Sequence, residues 1–211
     1  MKGYPGRIII CGLDHEGDPI ALYILTARSP SSRERILTVK ADGLWVEPTQ
    51  NAQGGDPSLL YYRASFQTEG AIVIANGTHG ERFAKTLTIG EALRDEFYEP
   101  DEPIYTPRIA AVFDTNLSMY TFASIRRSDD GSCTRSFFSF DAPKAGQGHR
   151  IQTYEGDPKN PRAFAGPPIP IALPKDDIAQ TIFDELHPDL RIAVAAIRRD
   201  GYELVNTHGG R

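Results

Sequence analysis

Short apolar runs separated by turn-forming residues dominate the first two thirds of the chain, a spacing that predicts strands rather than long helices. Arg7 to Gly12 is apolar without alternation, as expected of a strand covered on both faces, and Asp14 to Asp18 turns it into a second strand, Ile20 to Ala27. Arg35 to Lys40 and Leu44 to Glu47 flank Ala41-Asp42-Gly43, a hairpin signal. Leu59 to Gln67 and Ala71 to Asn76 flank Thr68-Glu69-Gly70; Arg108 to Phe113 and Leu117 to Arg126 flank Asp114-Thr115-Asn116. Ser136 to Phe140 is a weaker strand, and Leu190 to Ile197 with Tyr202 to Val205 closes the series around Asp200-Gly201.

Helical periodicity occurs twice. Phe83, Leu87, Leu93 and Phe97 share a face over roughly Glu81 to Phe97, where Gly90 allows a break or two shorter helices. Lys175 to Leu186 follows Pro174, places Asp176 and Asp177 in its first turn, and turns Ile178, Ile182 and Phe183 to the core. Ala142 to Pro174, rich in Pro and Gly, reads as an irregular loop that could cover a site. About ten strands in hairpins and two or three helices indicate an α+β fold with antiparallel sheets, as one domain over residues 1–211.

With 40% apolar residues, the chain can build a core without disulfides. A net charge of −5 disfavours a nucleic-acid partner but leaves room for a small basic pocket. Cys11 and Cys133 have no Cys or His partners at metal-ligand spacing, so no metal is expected. Cys11 sits in an apolar run as a small hydrophobe; the sequence does not decide whether the two pair. No secretory signal and no membrane-spanning stretch are seen, which makes the cytoplasm the expected location.

Four segments carry candidate chemistry, each with a bland alternative. In Tyr4-Pro5-Gly6-Arg7, the arginine heads an apolar strand and can grip a phosphate or carboxylate, or simply be solvated. Ala27 to Arg33 crowds Arg28, Arg33 and three serines into a turn, suited to a phosphate or to an exposed polar loop. Ala75 to Gly80 ends a strand and opens a helix; Asn76 and His79 could meet a ligand, or Asn76-Gly77 could be a plain turn and Thr78 a helix N-cap. Glu99, Asp101 and Glu102, followed by Thr106 and Arg108, offer acid–base groups if shielded from water, and otherwise a solvated linker. No GxSxG, Walker A or GxGxxG sequence is present.

In their order, YPGRII, ARSPSSR, LLYYRASF, IVIANGTH, YEPDE, TPRIAAV and IQTYEG resemble the archaeal-type IMP cyclohydrolase family over most of the chain. The likeness weakens between about Arg127 and Gln147 and after Gly156. The resemblance implies a four-layer αββα sandwich like that of the N-terminal-nucleophile hydrolases. Met1 is followed by Lys2, so removal of the methionine would expose no Cys, Ser or Thr nucleophile, and an amide hydrolase of that fold is disfavoured. The implied reaction is dehydrative closure of 5-formamidoimidazole-4-carboxamide ribotide (FAICAR) to IMP, without metal or cofactor. The resemblance further implies Arg33 and Tyr61 as donors near the reacting groups, Glu99 or Glu102 as the proton carrier, and Arg7, Arg28, Asn76, His79, Thr106 and Arg108 as substrate-binding residues. The expected partner is the nucleotide, FAICAR or IMP; a homo-oligomer is compatible with it. The alternative is a diverged member that binds a purine nucleotide or related phosphate without turnover.

Overall fold

A computed structural model describes residues 3–54, 56–86 and 88–208. Leu87, expected on a helix face, and Met1 and Lys2 lie outside the described residues. The strands are β1 (Arg7–Leu13), β2 (Pro19–Thr26), β3 (Arg35–Lys40), β4 (Gly43–Pro48), β5 (Tyr62–Gln67), β6 (Ala71–Ala75), β7 (Arg108–Asp114), β8 (Met119–Arg127), β9 (Cys133–Phe140), β10 (Gln147–Gln152), β11 (Tyr154–Glu155), β12 (Arg162–Ala163), β13 (Ile169–Ala172), β14 (Arg191–Arg198) and β15 (Gly201–Asn206). Four short α-helices accompany them: α1 (Pro30–Arg33), α2 (Pro57–Leu60), α3 (Ile89–Ala92) and α4 (Ile178–Glu185), with a 3₁₀ helix over Thr78–Ala84.

Two antiparallel sheets carry the architecture. One has the strand order β13-β10-β1-β2-β14-β15, the other β3-β4-β5-β6-β7-β8-β9, and β11-β12 forms a small separate pair. The period of two along each strand splits its side chains between two cores. Ile9, Cys11, Tyr23 and Ala195 of the first sheet meet Ile72, Ile74, Ile109, Phe113 and Phe122 of the second. The alternate residues Ile8, Ile10, Leu22, Ile24 and Val194 face outward against Ile178, Ile182 and Phe183 of α4. On the far side, Val73, Ala75, Ala110 and Ala123 pack against Phe83, Ala92 and Leu93 of the 3₁₀ helix and α3. The continuous apolar run of β1 thus reflects cover on both faces, as its sequence predicts.

Five expectations need correction. Glu81 to Phe97 divides into two short helices, an alternative the sequence left open, but the break falls between Ala84 and Ile89 rather than at Gly90, which lies within the four-residue α3, and Phe97 is exposed. Hydroxyl competition explains the break, since Thr86 Oγ1 accepts from the Thr88 N–H and donates to Glu91. Thr78 is not an N-cap; Gly77 holds that place without a side-chain bond. Helix α4 starts only at Ile178, because Asp177 adopts a left-handed backbone (φ 46°), so Asp176 and Asp177 precede the first turn. Residues 142–174 contain β10 to β13, and β10 lies centrally beside β1: its polar side chains hid a strand specified by backbone pairing. Leu59 and Leu60 belong to α2 rather than to the strand expected there. Cys11 is buried between the sheets, Cys133 lies on β9, and both are free.

Phe122 is fully buried between the sheets, whereas Phe137, on the neighbouring strand, is 43% exposed. Phe122→Ala should cost about 3–5 kcal/mol in urea unfolding. Phe137→Ala should change stability by no more than about 0.5 kcal/mol.

Candidate active site

The N-terminal end of β1 is held in place by backbone bonds to the segment after β10. Tyr4 N–H donates to the Gly156 carbonyl (3.0 Å), Tyr154 N–H to Pro5 (3.0 Å), and Thr153 N–H to Arg7 (3.0 Å). Gly6, at φ 71°, is required here: a Cβ on it would lie 2.1 Å from Thr153 Oγ1. The Tyr4 and Tyr154 rings stack at 5.7 Å, and the Arg7 N–H donates to Thr153 Oγ1. This clamp delivers the Arg7 side chain into a cavity of about 280 Å³, near the lower end of the range for ligand pockets.

Arg7, Arg28, Glu99 and Thr106 line that cavity, together with Tyr4, Ser29, Ser31, Ser32, Arg35, Asp101 and Tyr154. Arg7 and Glu99 are both buried, and Arg7 Nη2 lies 3.6 Å from Glu99 Oε1. Burial pushes the Glu99 carboxyl up to about 7, while Arg7 works in the opposite sense and Asp101 adds to the rise. For Arg7, burial opposes the charge, but Glu99 and the surrounding tyrosine hydroxyls outweigh it and hold the guanidinium above its ordinary value. Arg7 Nε is buried without a hydrogen-bond partner among the described residues. A carboxyl that titrates near neutrality beside a fixed cation can take up and release a proton at working pH.

The loop from Tyr98 to Thr106 shapes the other wall. Glu99 N–H donates to the Thr106 carbonyl (2.9 Å), and Asp101 accepts both the Thr106 N–H (2.6 Å) and the Thr106 hydroxyl. Because Thr106 spends its proton on Asp101, it accepts from the Tyr154 hydroxyl, fixing a directional chain Tyr154 to Thr106 to Asp101.

Three further expected residues lie behind this wall. Asn76 is fully buried; its Nδ2 donates to Pro107 and its Oδ1 accepts the Ile109 N–H, so the amide locks the ends of β6 and β7 together. His79 is buried and bonded through Nε2 to the Ile109 carbonyl; burial, then Arg108, hold its pKa down to about 3, so the ring is neutral. Arg108 Nη1 lies 3.2 Å from His79 Nδ1. Gly77 makes their convergence with Glu99 feasible: a Cβ there would sit 3.0 Å from Arg108 Nη1, 3.3 Å from His79 Nδ1 and 3.5 Å from Glu99 Oε1.

Three expected donors and acids lie elsewhere. Arg33, at the C-terminal end of α1, lines a neighbouring groove with Glu34, Arg191 and His208. Tyr61 caps α2 through its backbone and is not among the cavity's lining residues; the adjacent Tyr62 is the buried one, its hydroxyl 2.7 Å from that of Tyr23. Glu102 is exposed at the loop surface, which removes the shielding a proton carrier needs. Arg35 was missed, although it carries the signal that marks Arg7, an arginine at the head of an apolar strand. Tyr154 lies in the IQTYEG stretch but went unassigned because its partners are distant in sequence. Among the described residues no group of three His, Cys, Asp or Glu could hold a metal ion, and no helix is long and apolar enough to cross a membrane.

A sequence model of the IMP cyclohydrolase-like protein family matches residues 4–203. A protein named IMP cyclohydrolase from Methanocaldococcus jannaschii is 31% identical over 121 residues, 54% of this chain and 58% of that protein. One of the same name from Haloarcula marismortui is 29% identical over 52% of this chain and 54% of its own length. Another from Methanopyrus kandleri is 26% identical over 72% of this chain and 75% of its own. The chain therefore spans little more than half the length of the first two.

The ionisation of Glu99 has a measurable sign. Its folded pKa, about 7, lies above the ordinary 4.5, so between those values the native state keeps a proton that the unfolded chain has released. Stability should fall by up to about 3 kcal/mol as pH rises through this window. His79 acts oppositely: its depressed folded pKa adds stability at neutral pH that is lost as pH falls from 6.5 towards about 3. Denaturant melts of wild type and Glu99→Gln across pH 4 to 8 separate the two; the difference between them should fall through the Glu99 window, and parallel curves would contradict a buried carboxyl.

Proposed function

Because this chain belongs to the IMP cyclohydrolase-like family, we propose that it closes the second purine ring, converting FAICAR to IMP and water. The observation that carries the reading is the buried Arg7–Glu99 pair, with its neutral-range carboxyl, inside a cavity also lined by Arg28 and three serines.

The chemistry follows from the substrate. The carboxamide nitrogen and the formyl carbon sit on neighbouring positions of one imidazole ring, and holding them in contact supplies much of the acceleration. As the C–N bond forms, negative charge develops on the formyl oxygen, and Arg7 is the donor best placed to stabilise it. Glu99, as carboxylate, accepts the carboxamide proton and delivers it to the formyl oxygen, giving a hydroxyl; the formamido N–H proton, taken and returned in the same way, then leaves with that hydroxyl as water while the ring C=N bond forms. The Tyr154–Thr106–Asp101 chain fixes the loop that carries Glu99. Arg28 and Ser29, Ser31 and Ser32 face the phosphate, and Asn76, His79 and Arg108 support the cavity wall from behind. The two-sheet sandwich is, in this reading, the scaffold of the N-terminal-nucleophile hydrolases used without their nucleophile.

Purified protein should convert FAICAR to IMP, followed by absorbance and chromatography. Glu99→Gln should lower kcat by about 10²–10⁴-fold. Arg28→Ala should chiefly raise KM. Stabilisation of the protein by IMP with no IMP formed from FAICAR would contradict the proposal and favour a nucleotide-binding protein without turnover.

A further inference from the structure

Arg35 is a buried charge of the cavity without an ion-pair partner among the described residues. It is only 2% exposed at the head of β3, and it lines the same cavity as Arg7 and Glu99. Its Nε donates to the Ser32 carbonyl at 2.8 Å, which anchors the side chain on the serine-rich turn and leaves four N–H donors on its two Nη groups. None of the ion pairs among the described residues includes Arg35. Glu99, a buried carboxyl that lines the cavity, is already paired with Arg7. Burial disfavours the charge on Arg35, the hydroxyls of Tyr62, Tyr23 and Tyr4 favour it, and Arg7 repels it. A buried guanidinium without a carboxylate is costly in the empty protein and gains most from an anion that enters the cavity.

The chemistry around it specifies which anion. Arg28, Ser29, Ser31 and Ser32 line the cavity with Arg35, giving two guanidinium groups and three hydroxyls on one short stretch of chain. A phosphate monoester carries close to two negative charges and accepts from several directions; a carboxylate offers one charge and two oxygens in a plane. We propose that Arg35 is the specificity-determining residue that makes this site select a 5′-phosphorylated nucleoside over the nucleoside itself. The proposal rests on the nucleotide reading of the cavity and not on turnover. A nucleoside without phosphate would leave Arg35 buried and unpaired, which penalises the wrong ligand as well as rewarding the right one.

Calorimetric titration of wild type, Arg35→Met and Arg35→Gln with IMP, inosine and ribose 5-phosphate tests it. Wild type should bind IMP and ribose 5-phosphate and prefer IMP to inosine. Both variants should bind IMP about 10- to 100-fold more weakly while inosine binding stays unchanged, so the preference collapses. Equal weakening of IMP and inosine, or no weakening of either, would overturn the assignment. So would two variants that fail to fold, since Arg35 would then hold the structure rather than the ligand. A collapsed preference in a protein that leaves FAICAR untouched would sink the cyclohydrolase reading and keep Arg35 as the phosphate selector. FAICAR turnover with an intact preference in both variants would do the reverse.

Discussion

Burial of Arg7 against Glu99 is the constraint on which the site depends. The two side chains come from β1 and from a loop more than ninety positions later, and they meet where both have lost almost all contact with water. For the carboxyl, desolvation costs more than the 3.6 Å contact with Arg7 returns. The carboxyl responds by rising towards neutrality, and that makes it chemically useful.

The fold holds this arrangement with ordinary means. The inner residues of both sheets form a dry core, and their alternates are covered by α4 on one side and by the 3₁₀ helix with α3 on the other. The cavity opens where regular pairing stops: at the start of β1, in the turn after β2 and in the loop before β7. Backbone bonds between residues 4–7 and 153–156, and the Asn76 amide between β6 and β7, replace the missing ladder. These bonds hold the polar groups at the strand ends in place, which lowers the ordering cost that a ligand of the proposed kind would meet.

The sequence was most legible where local pattern and tertiary cover agree. The five hairpins could be placed from apolar runs and their turns, because each run is as apolar as the faces its strand buries, both faces in β1 and β6. The break between the 3₁₀ helix and α3 and the strand β10 were not legible: a threonine hydroxyl competes with the helix in one, and a polar sequence pairs through its backbone beside β1 in the other. Within the site, the segments were recognisable but the side chains less so. Arg7, Arg28, Glu99 and Thr106 line the cavity; Arg33 and Arg35 are two positions apart, and only the fold decides that Arg35 points in and Arg33 lines the adjoining groove. Tyr61 and Tyr62 show the same ambiguity, since one step along the chain exchanges the two faces.

The central claim concerns the ionisation of a single carboxyl and can be observed directly. Carbon-13 NMR of protein labelled at glutamate side-chain carboxyls, with Glu99→Gln used to assign the resonance, would follow Glu99 through a pH titration. The account requires a midpoint near 7, moving higher still in Arg7→Met, where the favourable cation is gone. A midpoint near the ordinary 4.5, unmoved by that substitution, would contradict it.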